Sequence, residues 1–327
     1  MRLAVVGNGK IVQEFLPQAA QVPGLELAAI VGRESARATL EDLRERHGIG
    51  AVYTDYAAAL AYPGIDAVWI ALPNSLHHAH AKQALEAGVH VICEKPFVLA
   101  EEQLAELRTL AEERGLILVE AITTVDLPAY RWLQENLGRV GDLRMIQCEY
   151  SQYSSRFDAF REGTIAPAFD PAQGGGALMD LGVYTVHFVL GLLGAPSTVQ
   201  YTPTIERGVD TSGVLTLGYE GALAACVTAK DSGGPARTKI QGTAGALVVE
   251  GPPNVVPGVD WYPNGAEPER IELPVPAHRM IEEFRAFVAI VDGVDLAERD
   301  RRLDHSQRVL ATTLAAARSA GLRLGEG

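Results

Sequence analysis

The chain has 327 residues, with 41 acidic against 28 basic side chains for a net charge of −13, and 47% hydrophobic, 21% charged and 6% aromatic residues. A chain this long buries a core without disulfides or metals and has room for two domains, which excludes wholesale disorder and a small stapled scaffold. Both halves are acidic, so no basic face suited to phosphate backbones is written and nucleic acid is not an expected partner.

From Leu3 to Glu120 short β-branched runs alternate with helical patterns, as a parallel sheet with crossover helices requires. Strands are predicted at Leu3–Val6, Leu25–Val31, Ala51–Tyr53, Ala67–Ala71, His90–Cys93 and Ile117–Glu120. Helices are predicted at Gln13–Ala20, Ser35–His47, Leu76–Ala87 and Glu101–Arg114, with Thr54, Asn74 and Ser75 as N-caps and Gly88 and Gly115 as stops. The rhythm then changes. Pro128 precedes a helix over Tyr130–Leu137, a strand follows at Leu143–Tyr150, and a second helix starts after Gly174-Gly175-Gly176. Strands at Thr198–Thr202, Gly213–Tyr219, Ala222–Lys230, Thr238–Gly242 and Ala246–Val249, with a hairpin turn at Glu220-Gly221, read as a largely antiparallel sheet. Helices over Met280–Val291 and His305–Ala320, joined by a charged surface linker, close the chain.

Cys93, Cys148 and Cys226 lie far apart with no CxxC pair, so neither a disulfide framework nor a cysteine zinc site is expected, and a reducing compartment fits. The apolar run Leu3–Val6 is too short for a signal peptide, and no stretch is expected to reach the roughly 20 apolar residues that span a bilayer. A cytoplasmic protein is the expectation.

Gly7-Asn8-Gly9 follows the first strand and opens the first helix, with Lys10 and Ile11 next, so bare backbone N–H groups can face a pyrophosphate. The third position of this GxGxxG pattern is Val12, which pushes the helix from the sheet or demands local repacking. The second strand runs into Gly32-Arg33-Glu34. Arg33 suits a 2′-phosphate and Glu34 a ribose hydroxyl, so NADP is favoured with NAD as the alternative. Leu72-Pro73-Asn74 with His77, and Glu94-Lys95-Pro96, stand at the carboxyl ends of the fourth and fifth strands, where open α/β sheets place ligands. Asp180, Tyr184 and His187 are spaced i, i+4 and i+7, on one helical face. His187 reads equally as a substrate contact and as a satisfied core histidine. Tyr153 and Arg156, in a loop of alternating hydroxyls and aromatics, suit a sugar with an acidic group, and equally a surface loop with a salt-bridged arginine. No metal is expected at His77-His78-Ala79-His80, because adjacent helical histidines point apart and no carboxylate is spaced to join them. Trp69 and Cys93 read as core.

In these motifs, taken in their order and spacing, the whole chain resembles the Gfo/Idh/MocA family of glucose-fructose oxidoreductases, inositol dehydrogenases and rhizopine-catabolism proteins. The Glu94-Lys95-Pro96 triplet together with the glycine-rich segment ending in Asp180 and Tyr184 is the specific part. The resemblance implies a Rossmann domain over residues 1–121, with a doubly wound parallel sheet. It also implies an α+β substrate domain over 122–327, whose large, mostly antiparallel open sheet makes a homodimer or homotetramer; the last helix is allowed to pack back on the first domain. It implies hydride transfer at a sugar or polyol carbon, with Lys95 as the catalytic lysine, Asp180 as the carboxylate that helps place lysine and substrate, and Tyr184 as the proton donor or acceptor. It also places Asn74 and His77 beside the cofactor. Tyrosine at 184, where many members have histidine, resembles the branch of glucose-fructose oxidoreductase, dimeric dihydrodiol dehydrogenases and some aldose dehydrogenases, and shifts the expectation from inositols towards pyranoses. A free tyrosine titrates near about 10, so the Lys95 ammonium is needed to make its proton transfer feasible near neutral pH. Thr123–Pro128 departs from relatives with an arginine before the proline, which weakens any borrowed substrate. The competing readings are an NAD-cycling glycosidase, a dihydrodiol or aldehyde reductase, and a dinucleotide-binding regulator.

Overall fold

The computed structural model describes residues 1–324, which fall into two compact units: Met1–Ala121 with Met280–Ser306, and Ile122–Arg279 with the chain from Gln307 onwards. The first boundary lies at 121/122, and a later segment rejoins the first unit.

In the first unit the strands β1 (Arg2–Val6), β2 (Glu26–Val31), β3 (Ala51–Tyr53), β4 (Ala67–Ile70), β5 (His90–Glu94) and β6 (Leu118–Ala121) form one sheet in the order β3-β2-β1-β4-β5-β6. Every pair is parallel. Their near-continuous Val, Ile, Leu and Ala content is what a sheet covered on both faces demands. The crossovers are α1 (Lys10–Phe15), α2 (Arg37–His47), α3 (Tyr56–Leu60), α4 (His77–Glu86) and α5 (Glu101–Arg114). Three local expectations are corrected here. Helix α1 ends at Phe15 and continues as a 3-10 turn over Leu16–Gln21, because Pro17 removes an N–H that an α-helix would use. The short α3 is capped by Asp55, whose carboxylate accepts from the amides of Ala57 and Ala58, and not by Thr54, whose hydroxyl donates to Glu34. Neither Asn74 nor Ser75 caps α4: they lie in a 3-10 turn before it, and Leu76 holds the cap position.

Val12 is fully buried beside Leu3, Val5 and Phe15, so the core takes up the side chain that replaces the third glycine. Helix α9 (Arg279–Asp292) lays Met280, Ile281, Phe284, Phe287, Val288 and Val291 into the same core, the i, i+3, i+4, i+7 stripe of a half-buried helix. Phe284 stacks on Phe15 at 3.7 Å between ring centroids and meets Trp69 edge-on at 5.0 Å. These aromatic contacts, worth about 1 kcal/mol each beyond area burial, explain why this late segment belongs to the first unit. Trp69 is a core residue whose indole N–H reaches the Glu94 carboxylate at 3.2 Å.

In the second unit α6 (Pro128–Asn136) starts with proline at its first turn, β7 (Leu143–Ser151) follows, and α7 (Phe157–Arg161) and α8 (Val183–Leu193) flank the glycine-rich segment. The remaining strands are β8 (Thr198–Glu206), β9 (Val209–Tyr219), β10 (Ala222–Ala229), β11 (Arg237–Gly242), β12 (Gly245–Glu250), β13 (Val259–Pro263) and β14 (Glu269–Ile271). The sheet order is β14-β13-β12-β11-β7-β10-β9-β8, antiparallel except for the central β7/β10 pair. Gly221, at φ +74°, supplies the turn between β9 and β10. Side chains alternate along β10: Ala224, Cys226 and Thr228 are buried, while Leu223 and Val227 lie on the open face with Val214 of β9. The final helix α10 (Leu296–Ser319) starts nine residues before the predicted His305, and the division between the units falls inside it.

One stretch passes, by length and composition alone, a test that none was expected to pass. Pro171–Leu193 is long and apolar enough to cross a membrane, but most of it is buried as a core helix.

Candidate active site

The first unit gathers its candidate residues where the strand order reverses, between the carboxyl ends of β1 and β4. Gly7 has φ +117°, and a Cβ there would stand 2.4 Å from the Ala71 carbonyl oxygen, so only glycine lets the two loops pass this close. Gly9 is the opposite case. It is exposed, its φ is −69°, and a Cβ built on it meets nothing within 4 Å. No side chain caps α1 at Gly9, which leaves the amides of Lys10 and Ile11 to the space beside it. This open cradle fits the pyrophosphate of a dinucleotide.

At the end of β2, Gly32 donates to the Tyr53 carbonyl at 3.1 Å and the chain turns into exposed Arg33. Glu34 is engaged by its own neighbours. Arg37 grips it through Nε and Nη2 at 2.7 and 2.8 Å and Thr54 Oγ1 donates at 2.6 Å, which hold its carboxyl down at about 2. Arg37 escaped the sequence reading although it stands one turn after Glu34, a spacing that pairs charges.

Behind the loops following β4 and β5 lies His77, wholly buried, with Nδ1 3.0 Å from the Pro96 carbonyl and Nε2 2.9 Å from the Leu72 carbonyl. The ring therefore ties Leu72-Pro73-Asn74 to Glu94-Lys95-Pro96 from within. Burial lowers its pKa against the opposing pull of those carbonyls and Glu120. Glu120, also buried, accepts from the Phe97 amide at 3.0 Å and from Ser306 Oγ at 2.6 Å. Lys95 and Glu94 are half-buried, and the Lys95–Pro96 bond is cis. Burial pushes the Cys93 thiol far up, so it packs and does not attack. His78 turns to Glu106 and His80 to the Leu76 carbonyl, so the three neighbouring histidines share no centre. Among the described residues no group of three or more His, Cys, Asp or Glu side chains is arranged to hold a metal.

In the second unit the glycine-rich segment packs hard. Gly176, at φ +122°, leaves only 2.0 Å between a notional Cβ and Asp210 Oδ1, and Asp210 in turn accepts from the Leu178 amide at 2.7 Å and Tyr201 Oη at 2.9 Å. Asp210 thereby anchors the start of the helix that bears the candidate residues. Its burial outweighs these bonds and raises its pKa to about 6. The helix begins with a π-turn over Leu178–Gly182 before α8, so Asp180 and Tyr184 are separated by a wider turn than the α spacing assumes. The Asp180 side chain is 34% exposed, Tyr184 is nearly buried, and His187 is wholly buried. Tyr184 lies 5.7 Å from the ring of Tyr150, whose hydroxyl accepts from Asn254 Nδ2 at 3.2 Å. Tyr153 is exposed, but its hydroxyl donates to Asp158 at 2.6 Å, and Arg156 is exposed at the start of α7. The sequence reading also missed Asn254 and Lys230, the latter forming an ion pair with Asp180 at 2.9 Å.

Residues 1–121 match the model of the oxidoreductase family with an NAD-binding Rossmann fold, and residues 134–248 match the GFO/IDH/MocA C-terminal domain. The chain belongs to the Gfo/Idh/MocA family. Like other members, it is an NAD(P)-dependent oxidoreductase acting on CH–OH groups. Among its relatives in the family, scyllo-inositol 2-dehydrogenase (NADP(+)) IolU of Bacillus subtilis is 33% identical, covering 94% of this chain and 93% of the relative. D-xylose 1-dehydrogenase (NADP(+)) 2 of Haloferax volcanii is 31% identical, covering 92% of each chain. Among solved structures, the 3-ketoreductase KijD10 of Actinomadura kijaniata in complex with NADP superposes with a TM-score of 0.81 at 26% identity, covering 98% of this chain and 97% of that one.

Proposed function

We propose that this family member is a cytoplasmic, NADP-preferring dehydrogenase of a sugar, polyol or related ring alcohol. The observation that carries the cofactor preference is the contrast at the end of β2. Glu34, the acidic side chain an NAD ribose would need, is engaged by Arg37 and Thr54, whereas Arg33 is exposed beside it. An exposed guanidinium suits a 2′-phosphate, which it can grip with two parallel hydrogen bonds. Relatives and neighbours named for NADP support the same reading.

When bound, the nicotinamide supplies the hydride exchange with the carbinol carbon. The amides after Gly9 hold the pyrophosphate, and Leu72, Pro73, Asn74 and Pro96 line the nucleotide side of the site, with the buried His77 beneath them. Tyr184 takes the hydroxyl proton as the alcohol is oxidised and returns one in reduction, Lys95 stabilises the oxygen as it becomes an alkoxide, and Asp180 accepts a hydrogen bond that orients the substrate. The exposed Leu223, Val227 and Val214 on the open sheet face suit a homo-oligomer contact. The buried free thiols of Cys93, Cys148 and Cys226 suit a reducing compartment.

The test is the affinity of Arg33→Ala for NADPH and NADH, measured by calorimetry. NADPH binding is expected to weaken about 10- to 100-fold, the worth of a charge-assisted bidentate contact, with NADH nearly unchanged. Equal loss for both cofactors would refute the assignment.

A further inference from the structure

Lys230, just past the end of β10, is 2% exposed. Its backbone is pinned on both sides, since its amide donates to the Thr211 carbonyl at 2.7 Å and its carbonyl accepts from Ser154 at 2.8 Å. Its ammonium meets Asp180 Oδ2 at 2.9 Å, the Ala168 carbonyl oxygen, and the face of Phe169 at 4.2 Å from the ring centroid. Asp210 lies near enough to feel its charge.

Enclosing an ammonium costs several kcal/mol unless its partners compensate, and an apolar side chain of similar size is often as stable or better. A buried lysine therefore needs a use beyond packing. The pair is also asymmetric: the cation is enclosed while its carboxylate partner is a third exposed. Other salt bridges among the described residues, such as Arg46–Asp42 and Lys82–Glu106, join two exposed side chains, where holding an orientation gains little. Here an immobile charge on the sheet grips one oxygen of a side chain that borders solvent, which fixes the rotation of the whole carboxylate. Asp180 also sits on a π-turn, a rare feature that occurs frequently at functional sites.

We propose that Lys230 is a positioning residue for the reaction, holding the Asp180 carboxylate in the one orientation that accepts a hydrogen bond from a substrate hydroxyl. This rests on the reading of Asp180 given above and extends it to a residue on a different element. Lys230 touches neither substrate nor cofactor and acts through Asp180.

The test compares Lys230→Met, Asp180→Asn and the double variant, assayed with NADP and scyllo-inositol, D-xylose and levoglucosan, using whichever the wild type turns over. If Lys230 acts through Asp180, each single variant lowers kcat by roughly 10- to 100-fold and the double variant is no worse than Asp180→Asn alone within about threefold, the signature of groups that work as a unit. The KM for NADP stays within about twofold, a pattern that loss of fold would not give. Wild-type kcat in Lys230→Met, or losses that multiply in the double variant, overturns the proposal. An unchanged kcat in Asp180→Asn overturns the reading of Asp180 instead, and a wild type silent on all three substrates overturns the reading and the proposal together. Should Lys230→Met not fold, Lys230→Gln keeps a donor without the charge and carries the same comparison. Failure of both to fold makes Lys230 a structural residue and overturns the proposal.

Discussion

The buried imidazole of His77 lies 3.0 Å from the carbonyl oxygen of Pro96, and its other nitrogen is 2.9 Å from that of Leu72. One ring thus couples the two loops that carry Asn74 and Lys95. A neutral imidazole can donate to only one carbonyl, and loss of hydration favours the neutral form in the folded protein. Because the folded pKa is depressed below 6.5, the contribution of His77 to stability is present above that value and is lost as pH falls through it. His77→Ala is expected to destabilise the protein by about 2–4 kcal/mol, from the cavity and the lost bond. It should also weaken NADPH binding about tenfold or more by releasing both loops. Thermal unfolding and calorimetry read the two effects; unchanged NADPH affinity in the folded variant would show that the loops do not depend on this ring.

Gly7 and Gly9 separate folding from binding. Gly7→Ala forces a Cβ against the Ala71 carbonyl oxygen at a positive φ, so a loss of about 2 kcal/mol or more is expected in chemical denaturation. Gly9→Ala meets nothing within 4 Å and keeps an ordinary backbone, so the fold should be untouched. Its methyl enters the space assigned to the pyrophosphate, and NADPH affinity should fall about 10-fold or more. Full NADPH affinity in Gly9→Ala would remove the dinucleotide from that turn.

Asp210 predicts a pH dependence of stability. Its carboxyl titrates at about 6 in the fold against an ordinary 3.8, so the folded state binds the proton more tightly than the unfolded chain. Its stabilising effect is complete below about 4 and is lost as pH rises through about 6. Asp210→Asn keeps an acceptor for Leu178 and a partner for Tyr201, and should lack this falling stretch. Relative to the variant, the wild type is expected to lose about 3 kcal/mol at most between pH 4 and 7, since each tenfold difference in proton affinity between the folded and unfolded chain is worth about 1.4 kcal/mol. Parallel unfolding profiles for the two proteins across that range would contradict the assignment.

Much of the architecture was legible because it rests on local signals. Alternating β-branched runs and helical periods marked all six parallel strands, and Gly115 stops α5 in the left-handed conformation as expected. Short or weakly patterned pieces were not legible. Helix α3 is an alanine-rich turn of five residues, and β13 is carried by pairing with β12, and β14 by pairing with β13, more than by their own sequences. The π-turn at Leu178–Gly182 leaves no mark in a spacing of apolar residues.

In the site, glycines and the Glu94-Lys95-Pro96 triplet are visible because their conformational and chemical demands are carried by single residues. Lys230 is fifty positions from Asp180, and Asn254 is more than a hundred from Tyr150, so no sequence period joins them. His77 was visible as a residue but not as a buried one, since its helix position alone does not show that two loop carbonyls close over it.

The most direct test of hydride transfer from a ring alcohol is the growth of reduced-nicotinamide absorbance when the protein, with NADP or NAD in turn, meets aldoses, uronic acids, polyols and inositols, with Lys95→Met and Tyr184→Phe beside it. The expected result is a signal raised by one class of ring alcohol, stronger with NADP, and reduced by about 100-fold or more in both variants while they still bind NADPH. Tight NADPH binding with no reduction across the panel, or full turnover in Lys95→Met, would contradict it.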